Sequence, residues 1–89
     1  MSDALVIIPT YNEKENIEAI IRAVFNLEKA FDILVVDDSS PDGTSTIVTN
    51  LKQEFPNKLF IENRTEKTGI GAAYIHGFKW AIEKKYDYI

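Results

Sequence analysis

Two adjacent carboxylates near the middle of the chain are the residues whose chemistry can be interpreted most directly. Asp37 and Asp38 follow the wholly apolar run 33–36, and the turn-forming stretch 39–44 comes after them. An ionised carboxylate only accepts hydrogen bonds, so a fixed one can recognise the ring N–H of guanine or uracil. An aromatic ring such as Tyr11 can stack on the face of the same base. The pair therefore indicates a site that can read a nucleotide base.

A phosphate group in such a site would need a positive charge beside it. Like charges repel each other in a shielded cleft, so two adjacent acids are unsuited to direct contact with a diphosphate. A phosphate group there needs a cation, which is either a metal ion or the basic side chains of Arg64 and Lys67.

Each of the polar residues also has a simpler structural explanation. Asp, Ser, Gly and Pro favour turns and helix N-termini, and for Ser40 and Asp42 we prefer that explanation. It is weaker for Asp38, because the residues after it already supply the turn. Tyr11 can pack against the edge of a sheet, and Glu13 can complement the dipole of a helix.

The elements that must position these residues alternate along the chain. Apolar runs at 5–8, 33–36 and 59–61 predict three strands, and residues 86–89 begin a fourth. The first two runs are continuously apolar, which is typical of strands buried on both faces of a parallel sheet. Helical spacing lies between the strands, so we predict an α/β fold with a mostly parallel sheet flanked by helices.

Three helices are predicted between the strands. The first follows Asn12, which is expected to cap it, with Glu15 completing a capping box. The second begins near Thr44 and ends before Pro56, which cannot continue a helix. The third runs from about residue 71 to residue 84. Its inner side is predicted to consist of Tyr74, Ile75, Phe78, Ala81 and Ile82.

Ligands of open parallel sheets bind beyond the carboxyl ends of the strands, and three polar clusters fall there. They are the segments 9–13, 37–38 and 63–71, and we expect them to line one edge of the sheet.

The glycines of the third cluster suggest a dinucleotide-binding loop, but Tyr74 stands where that loop needs its last glycine. His76 lies in a helical pattern with no obvious partner, so we assign it to structure and not to catalysis.

Composition excludes several classes of protein. The chain has 89 residues, enough for one small domain, and its net charge of −4 argues against a nucleic-acid partner. It contains no cysteine, which excludes disulfides and thiolate metal sites and is compatible with a cytoplasmic location. No run approaches the roughly 20 apolar residues that span a bilayer.

Three segments resemble the family 2 glycosyltransferases and, within that family, the polyprenol-phosphate (dolichol-phosphate) mannosyltransferases. They are VIIPTYNE at 6–13, VVDDSSPDGT at 35–44 and GIGAAYIHG at 69–77. The first segment is shared widely in the family, whereas the other two are more specific to this branch. The resemblance covers nearly the whole chain in the expected order; one minor departure is Thr68, where the family usually has leucine.

The resemblance implies the Rossmann-like, nucleotide-binding half of a GT-A fold. It also implies transfer of mannose from GDP-mannose to a polyprenyl phosphate at a membrane surface, with inversion and with Mg²⁺ or Mn²⁺ as cofactor. Carried over position by position, it makes the following residues contacts of the nucleotide sugar: Pro9, Tyr11, Glu13, Val36 and Asp38. In that assignment Asp38 supplies the acceptor for the base and Asp37 holds the loop. Arg64 and Lys67 are weaker candidates near the diphosphate, and no catalytic residue is assigned.

The family's Asp-x-Asp metal motif normally follows the fourth strand, and no residue of this chain can be assigned to it. We therefore expect residues 1–89 to be the N-terminal, nucleotide-sugar-binding part of a longer enzyme, interrupted in the fourth strand and inactive by itself. The parent protein is expected in the cytoplasm, associated with the cytoplasmic face of a membrane. Two alternatives stay open: a polyprenol-phosphate glucosyltransferase that uses UDP-glucose, and a nucleotide-binding module without catalytic activity.

Overall fold

Strands and helices alternate through the structure, a computed structural model that describes residues 3–65 and 70–89. The elements are β1 (Leu5–Thr10), α1 (Ile17–Phe25), β2 (Asp32–Asp37), α2 (Thr44–Leu51), β3 (Leu59–Asn63) and α3 (Ile70–Glu83). None of the helices in the described part of the chain combines the length and the apolar character needed to cross a bilayer.

The three strands form one parallel sheet in the order β1-β2-β3. The central strand β2 is buried along its whole length, in agreement with the apolar run 33–36 between its two terminal aspartates. Alternate side chains of this strand enter two separate cores, because successive residues of a strand point to opposite faces. Ile33 and Val35 pack with α1 and α2, whereas Leu34 and Val36 pack under α3. The prediction of a parallel sheet flanked by helices is confirmed.

The start of α1 differs from the prediction. The helix begins at Ile17, and Asn12 lies well before it in a left-handed backbone conformation with φ of 57°. A turn comes between them, in which the Glu13 carbonyl accepts the N–H groups of Asn16 and Ile17. Asn12 therefore does not cap the helix, and the capping box with Glu15 is not formed. The N–H of Asn12 is instead bonded to a side chain of another loop, which fixes a turn where a helix was expected.

The inner side of α3 was also predicted wrongly, with the exception of Ala81. Four large apolar residues of that prediction are 38–68% exposed: Tyr74, Ile75, Phe78 and Ile82. The buried positions are instead the small residues Ala73, Gly77 and Ala81, spaced four apart. A Cβ atom at Gly77 would lie 2.8 Å from Cγ2 of Ile7, so the helix lies very close to β1. Helical periodicity identified the bulkiest stripe of the helix, but this close approach requires the smallest one.

The predicted fourth strand is represented by a single parallel bridge. Tyr88 pairs with Ala4, and its carbonyl accepts the N–H of Leu5 at 2.9 Å. Tyr86 is buried nearby, and its hydroxyl donates to Asp32 Oδ2 at 2.6 Å. Burial of the hydroxyl raises the pKa of Tyr86 well above its ordinary value, and the hydrogen bond to Asp32 is the second largest cause of this increase. The segment after α3 is thus attached beside β1.

Candidate nucleotide-binding site

The carboxyl ends of the three strands lie side by side at one edge of the sheet. Thr10, Asp37 and Asn63 are the last residues of β1, β2 and β3, and the register pairs Asp37 with each of the other two. The loops that follow therefore start in one row, as the sequence predicted. We call this region the loop rim, defined as residues 10–13, 37–44 and 63–65.

Asp37 is buried at the centre of the loop rim and is engaged through both carboxylate oxygens. Oδ1 accepts hydrogen bonds from Thr10 Oγ1 at 2.7 Å and from Ser40 Oγ at 2.6 Å. Oδ2 accepts the N–H of Ser40 at 2.9 Å. Asp37 thus joins the end of β1 to the loop after β2, and the prediction that it holds this loop is confirmed.

Asp38 lies one residue further on and has different surroundings. Its side chain is 7% exposed, and Oδ1 lies 3.2 Å from Nη1 of Arg64, whose side chain is 15% exposed. The two groups attract each other as opposite charges, but Oδ1 accepts no hydrogen bond within residues 3–65 and 70–89. A buried carboxylate oxygen without a donor is energetically costly. Asp38 therefore keeps a hydrogen-bond acceptor at the loop rim that the described residues leave unused, beside a cationic side chain.

The backbone of Arg64 is fixed from two sides. Its N–H donates to the Asp37 carbonyl at 2.7 Å, and its own carbonyl accepts the hydroxyl of Ser39. Ser39 has a left-handed φ of 56°, so this loop turns sharply at the contact. Arg64 was predicted to lie near a diphosphate, and the structure places its guanidinium against Asp38. Lys67, the second predicted cation, lies outside the described residues.

The first loop carries two of the predicted contact residues, and a third lies just before it. Pro9 is half-buried in β1, where it pairs with Val36. Tyr11 follows the strand and is 38% exposed, so it can present part of its ring to a base. Glu13 is half-buried in the same loop.

Val36, like Pro9, is a predicted contact residue that lies in a strand and outside the loop rim. Its side chain is fully buried in the core under α3, together with Leu34 and Ala73. Its part in nucleotide binding stays a prediction, as do those of Pro9, Tyr11, Glu13 and Asp38.

Ser40, Asp42 and Thr44, which were expected only to form a turn and a helix start, also accept hydrogen bonds from the first loop. The N–H groups of residues 12, 13 and 14 donate in turn to Ser40 Oγ, Thr44 Oγ1 and Asp42 Oδ2, at 2.8, 3.1 and 3.1 Å. Asp42 also accepts the first N–H of α2, that of Thr44, so the expected role at the helix start is right but incomplete. The available signal was the polar side chain at every second position of this loop.

These hydrogen bonds affect the charge of Asp42. The Thr44 hydroxyl contributes most, and the N–H groups of Lys14 and Thr44 add to it, so the pKa of Asp42 is held below its ordinary value. Asp42 therefore stays an anion, and a stronger acceptor, to a lower pH than an ordinary aspartate.

His76 has a partner, contrary to the expectation from the sequence. Its Nε2 lies 3.2 Å from Oε1 of Glu62, and both side chains are partly exposed. The helix α3 folds back over the sheet and brings position 76 beside β3, which sequence spacing alone does not reveal.

The acidic groups of the loop rim do not fit a metal ion. In the described ranges 3–65 and 70–89, no three His, Asp or Glu side chains converge as metal ligands. Asp37 already accepts three hydrogen bonds, and Asp38 faces a cationic guanidinium.

The sequence and the fold place the chain in a known class of protein. The chain matches the model of glycosyl transferase family 2 over residues 5–89, and it belongs to that family. Its three parallel strands with flanking helices form the Rossmann-like half of a GT-A fold. The resemblance noted in the sequence is confirmed.

Within the family, the chain is similar to proteins named for mannose transfer. It is 46% identical over 83 residues to polyprenol monophosphomannose synthase of Mycolicibacterium smegmatis, covering 93% of this chain and 31% of that protein. It is 43% identical over 83 residues to undecaprenyl-phosphate mannosyltransferase of Micrococcus luteus, covering 93% and 34%. It is 42% identical over 78 residues to dolichol-phosphate mannosyltransferase of Pyrococcus furiosus, covering 85% and 22%. The chain thus spans about a third of these relatives or less.

A solved structure supports the same class. The mannosyltransferase PcManGT from Pyrobaculum calidifontis, in complex with GDP-Man and Mn²⁺, superposes with a TM-score of 0.83. It is 29% identical in sequence, and the match covers 89% of this chain and 24% of that one.

Proposed function

We propose that the complete protein transfers mannose from GDP-mannose to a polyprenyl phosphate, and that residues 1–89 are its N-terminal, nucleotide-sugar-binding part. The observation that carries the proposal is the buried Oδ1 of Asp38, which accepts no hydrogen bond within the described residues. It lies at the carboxyl end of the central strand, where parallel sheets bind ligands. The names of the three relatives support mannose as the sugar and a polyprenyl phosphate as the acceptor.

Asp38, Arg64 and Tyr11 divide the recognition of the base between them in this proposal. Asp38 accepts the ring N–H of guanine, which an ionised carboxylate can do because it has no proton of its own to donate. Arg64 holds that carboxylate in place, because its Nη1 lies 3.2 Å from Oδ1 of Asp38. Tyr11 stacks on the base with the exposed part of its ring.

The chemical step needs little from these residues beyond binding and orientation. A phosphate monoester has a second pKa near 6, so the acceptor reaches the enzyme largely ionised and is already a nucleophile. Its attack on the face opposite the departing GDP inverts the anomeric centre of mannose. We therefore assign no general base within this chain.

A divalent cation, Mg²⁺ or Mn²⁺, is part of the proposal for the complete protein. It supplies stabilisation of the negative charge on the departing diphosphate. The relative solved with Mn²⁺ supports a metal in this class, but the described carboxylates do not fit one. We assign no metal ligand within this chain.

The acceptor also indicates where the reaction takes place. A polyprenyl chain partitions into lipid, because each buried CH₂ contributes about 0.8 kcal/mol. The phosphate then lies at the membrane surface, and we propose that the protein meets it on the cytoplasmic face.

The test is a transfer assay with the complete protein. The protein is given either GDP-mannose or UDP-glucose together with a polyprenyl phosphate. Calorimetry measures the binding of each donor, and mass spectrometry detects the glycosylated lipid product. We expect mannosyl transfer from GDP-mannose, and none by residues 1–89 alone. Transfer from UDP-glucose alone would assign the glucosyl alternative, since uracil also carries a ring N–H. Binding without transfer would indicate a nucleotide-binding module, and no binding of either donor would overturn the proposal.

A further inference from the structure

Three consecutive backbone N–H groups of the first loop are held by side chains of the second loop. Residues 12–14 follow β1 and precede α1, so neither the backbone of the sheet nor that of α1 supplies acceptors for them. Their acceptors are Ser40 Oγ, Thr44 Oγ1 and Asp42 Oδ2, and the bonds join positions 28 to 31 residues apart. We call these three hydrogen bonds the loop clasp. Because they connect distant segments, they fix one loop relative to the other.

The acceptors of the loop clasp are themselves held in place. Ser40 is bonded to both oxygens of Asp37, which is buried at the end of β2. Thr44 is fully buried, and its N–H and hydroxyl both donate to Asp42 Oδ1, at 3.0 and 2.5 Å. A hydroxyl that donates to a carboxylate keeps its lone pairs for another donor, here the N–H of Glu13. The clasp therefore ties the first loop to the rigid ends of β2 and α2.

The clasped segment carries residues that we propose to contact the nucleotide. Tyr11 directly precedes the first clasped N–H group, and Glu13 bears the second. Between them Asn12 has a φ of 57°, in the left-handed region that costs free energy for a residue with a Cβ. Such a conformation persists where the surroundings determine it strongly, and the loop clasp provides those contacts.

We propose that Ser40, Asp42 and Thr44 are positioning residues for nucleotide-sugar binding. By holding the backbone on the C-terminal side of Tyr11, they set that ring at a fixed place relative to Asp38, without contacting the ligand themselves. The inference rests on the proposed function, because it concerns the same site. Loss of the clasp should weaken binding of the donor and leave the chemical step intact.

Two substitutions at Thr44 separate the clasp from ordinary packing. Thr44→Val keeps the side-chain shape but removes the hydroxyl, whereas Thr44→Ser keeps the hydroxyl and removes a buried methyl group. Thr49→Val is a matched control, because Thr49 is exposed and its hydroxyl donates only within α2, to the Ser45 carbonyl at 2.9 Å. All three variants are made in the complete protein.

The kinetic readout is the separation of KM from kcat. We expect Thr44→Val to raise the KM for GDP-mannose about 3- to 10-fold, with kcat within about twofold of wild type. Thr44→Ser should leave KM within about twofold, because it keeps the hydroxyl that accepts the N–H of Glu13. Thr49→Val should also leave KM within about twofold, because the Thr49 hydroxyl bonds only within α2. Equal damage by Thr44→Val and Thr44→Ser would mean that Thr44 acts through packing, and would overturn the positioning role.

Amide hydrogen exchange of residues 12–14 measures the clasp independently of activity. These N–H groups should be protected in the wild type and in Thr44→Ser, and Glu13 should exchange faster in Thr44→Val. Faster exchange without a change in KM would overturn the positioning role and leave the proposed function standing. If the wild type binds no GDP-mannose, the proposed function fails, and the positioning role fails with it.

Discussion

Asp37 and Asp38 are neighbours at the end of β2, but their carboxylates differ in how many hydrogen bonds they accept from the protein. Asp37 receives three hydrogen bonds from Thr10 and Ser40, and its carboxylate is fully used inside the protein. Asp38 is also buried, yet its Oδ1 has a charged neighbour and no donor within the described residues. A buried carboxylate whose oxygens are satisfied contributes to stability, whereas an oxygen left unsatisfied costs free energy that a hydrogen-bond donor would recover. The same residue type thus serves structure at one position and, we propose, binding at the next.

The two described glycines of α3 show the same contrast between closed and open surroundings. Gly77 faces β1, where an added Cβ would lie 2.8 Å from Ile7, whereas nothing lies within 4 Å of a Cβ added at Gly71. One glycine is required by packing and the other is not.

The largest expected effect tests the structural role of Asp37, whose carboxylate is fully hydrogen-bonded within the protein. Asp37→Ala leaves three donors without their acceptor in a buried place, so we expect it to lower the free energy of unfolding by about 3 kcal/mol. Urea unfolding measures the change. Asp3→Ala is the control, because Asp3 is exposed and its ion pair with Lys29 spans 4.0 Å. An equally small change in both variants would show that Asp37 does not hold the loop.

Substitution of Asp38 is expected to change ligand binding, in addition to breaking its ion pair with Arg64. Asp38→Asn removes the negative charge and offers an N–H group beside a ligand donor, so GDP-mannose should bind about 10- to 100-fold more weakly. Calorimetric titration of the complete protein measures the affinity, under conditions where urea unfolding shows the variant to be folded. The free energy of unfolding should fall by up to about 3 kcal/mol, because Arg64 loses the buried counter-charge that lies 3.2 Å from its Nη1. Wild-type affinity in this variant would end the assignment of Asp38 to the base.

The glycine pair gives a smaller effect of opposite sign at its two positions. Gly77→Ala forces α3 away from Ile7 and should lower the free energy of unfolding by about 1–3 kcal/mol. Gly71→Ala meets open space and should raise the free energy of unfolding by up to about 1 kcal/mol, because alanine favours the helix. Urea unfolding of both variants measures the difference, and the same sign for both would contradict the close approach of α3 to β1.

The smallest expected effect concerns the pH dependence of stability. The pKa of Asp42 is lowered in the folded protein, so its contribution is present above its unfolded pKa of 3.8 and is lost as the pH falls through the folded value. The loss of stability between pH 7 and pH 3 should therefore be smaller in Asp42→Asn than in the wild type. Urea midpoints at the two pH values provide the comparison, with Asp3→Asn as the control. An unchanged difference in Asp42→Asn would show that the hydrogen bonds of Asp42 do not stabilise the fold.

The sequence by itself determined the strands, their parallel arrangement and the edge at which the polar loops meet. Continuous apolar runs such as 33–36 can be buried only between two layers, and parallel strands bring their carboxyl ends to one edge. That was enough to point to Asp37 and Asp38 as distinct residues. These features depend on residues close together in sequence, where spacing and residue type carry the information.

Only the tertiary structure decided the loop clasp, the ion pair of Asp38 with Arg64, and the buried stripe of α3. Asn12 was read as a helix cap because its neighbours in sequence allow one, but its N–H is bonded to Ser40, 28 residues away. The outward position of Phe78 follows in the same way from the close approach of Gly77 to β1. Each of these outcomes depends on which distant segment supplies a contact, and one local pattern is compatible with several such partners until the chain has folded.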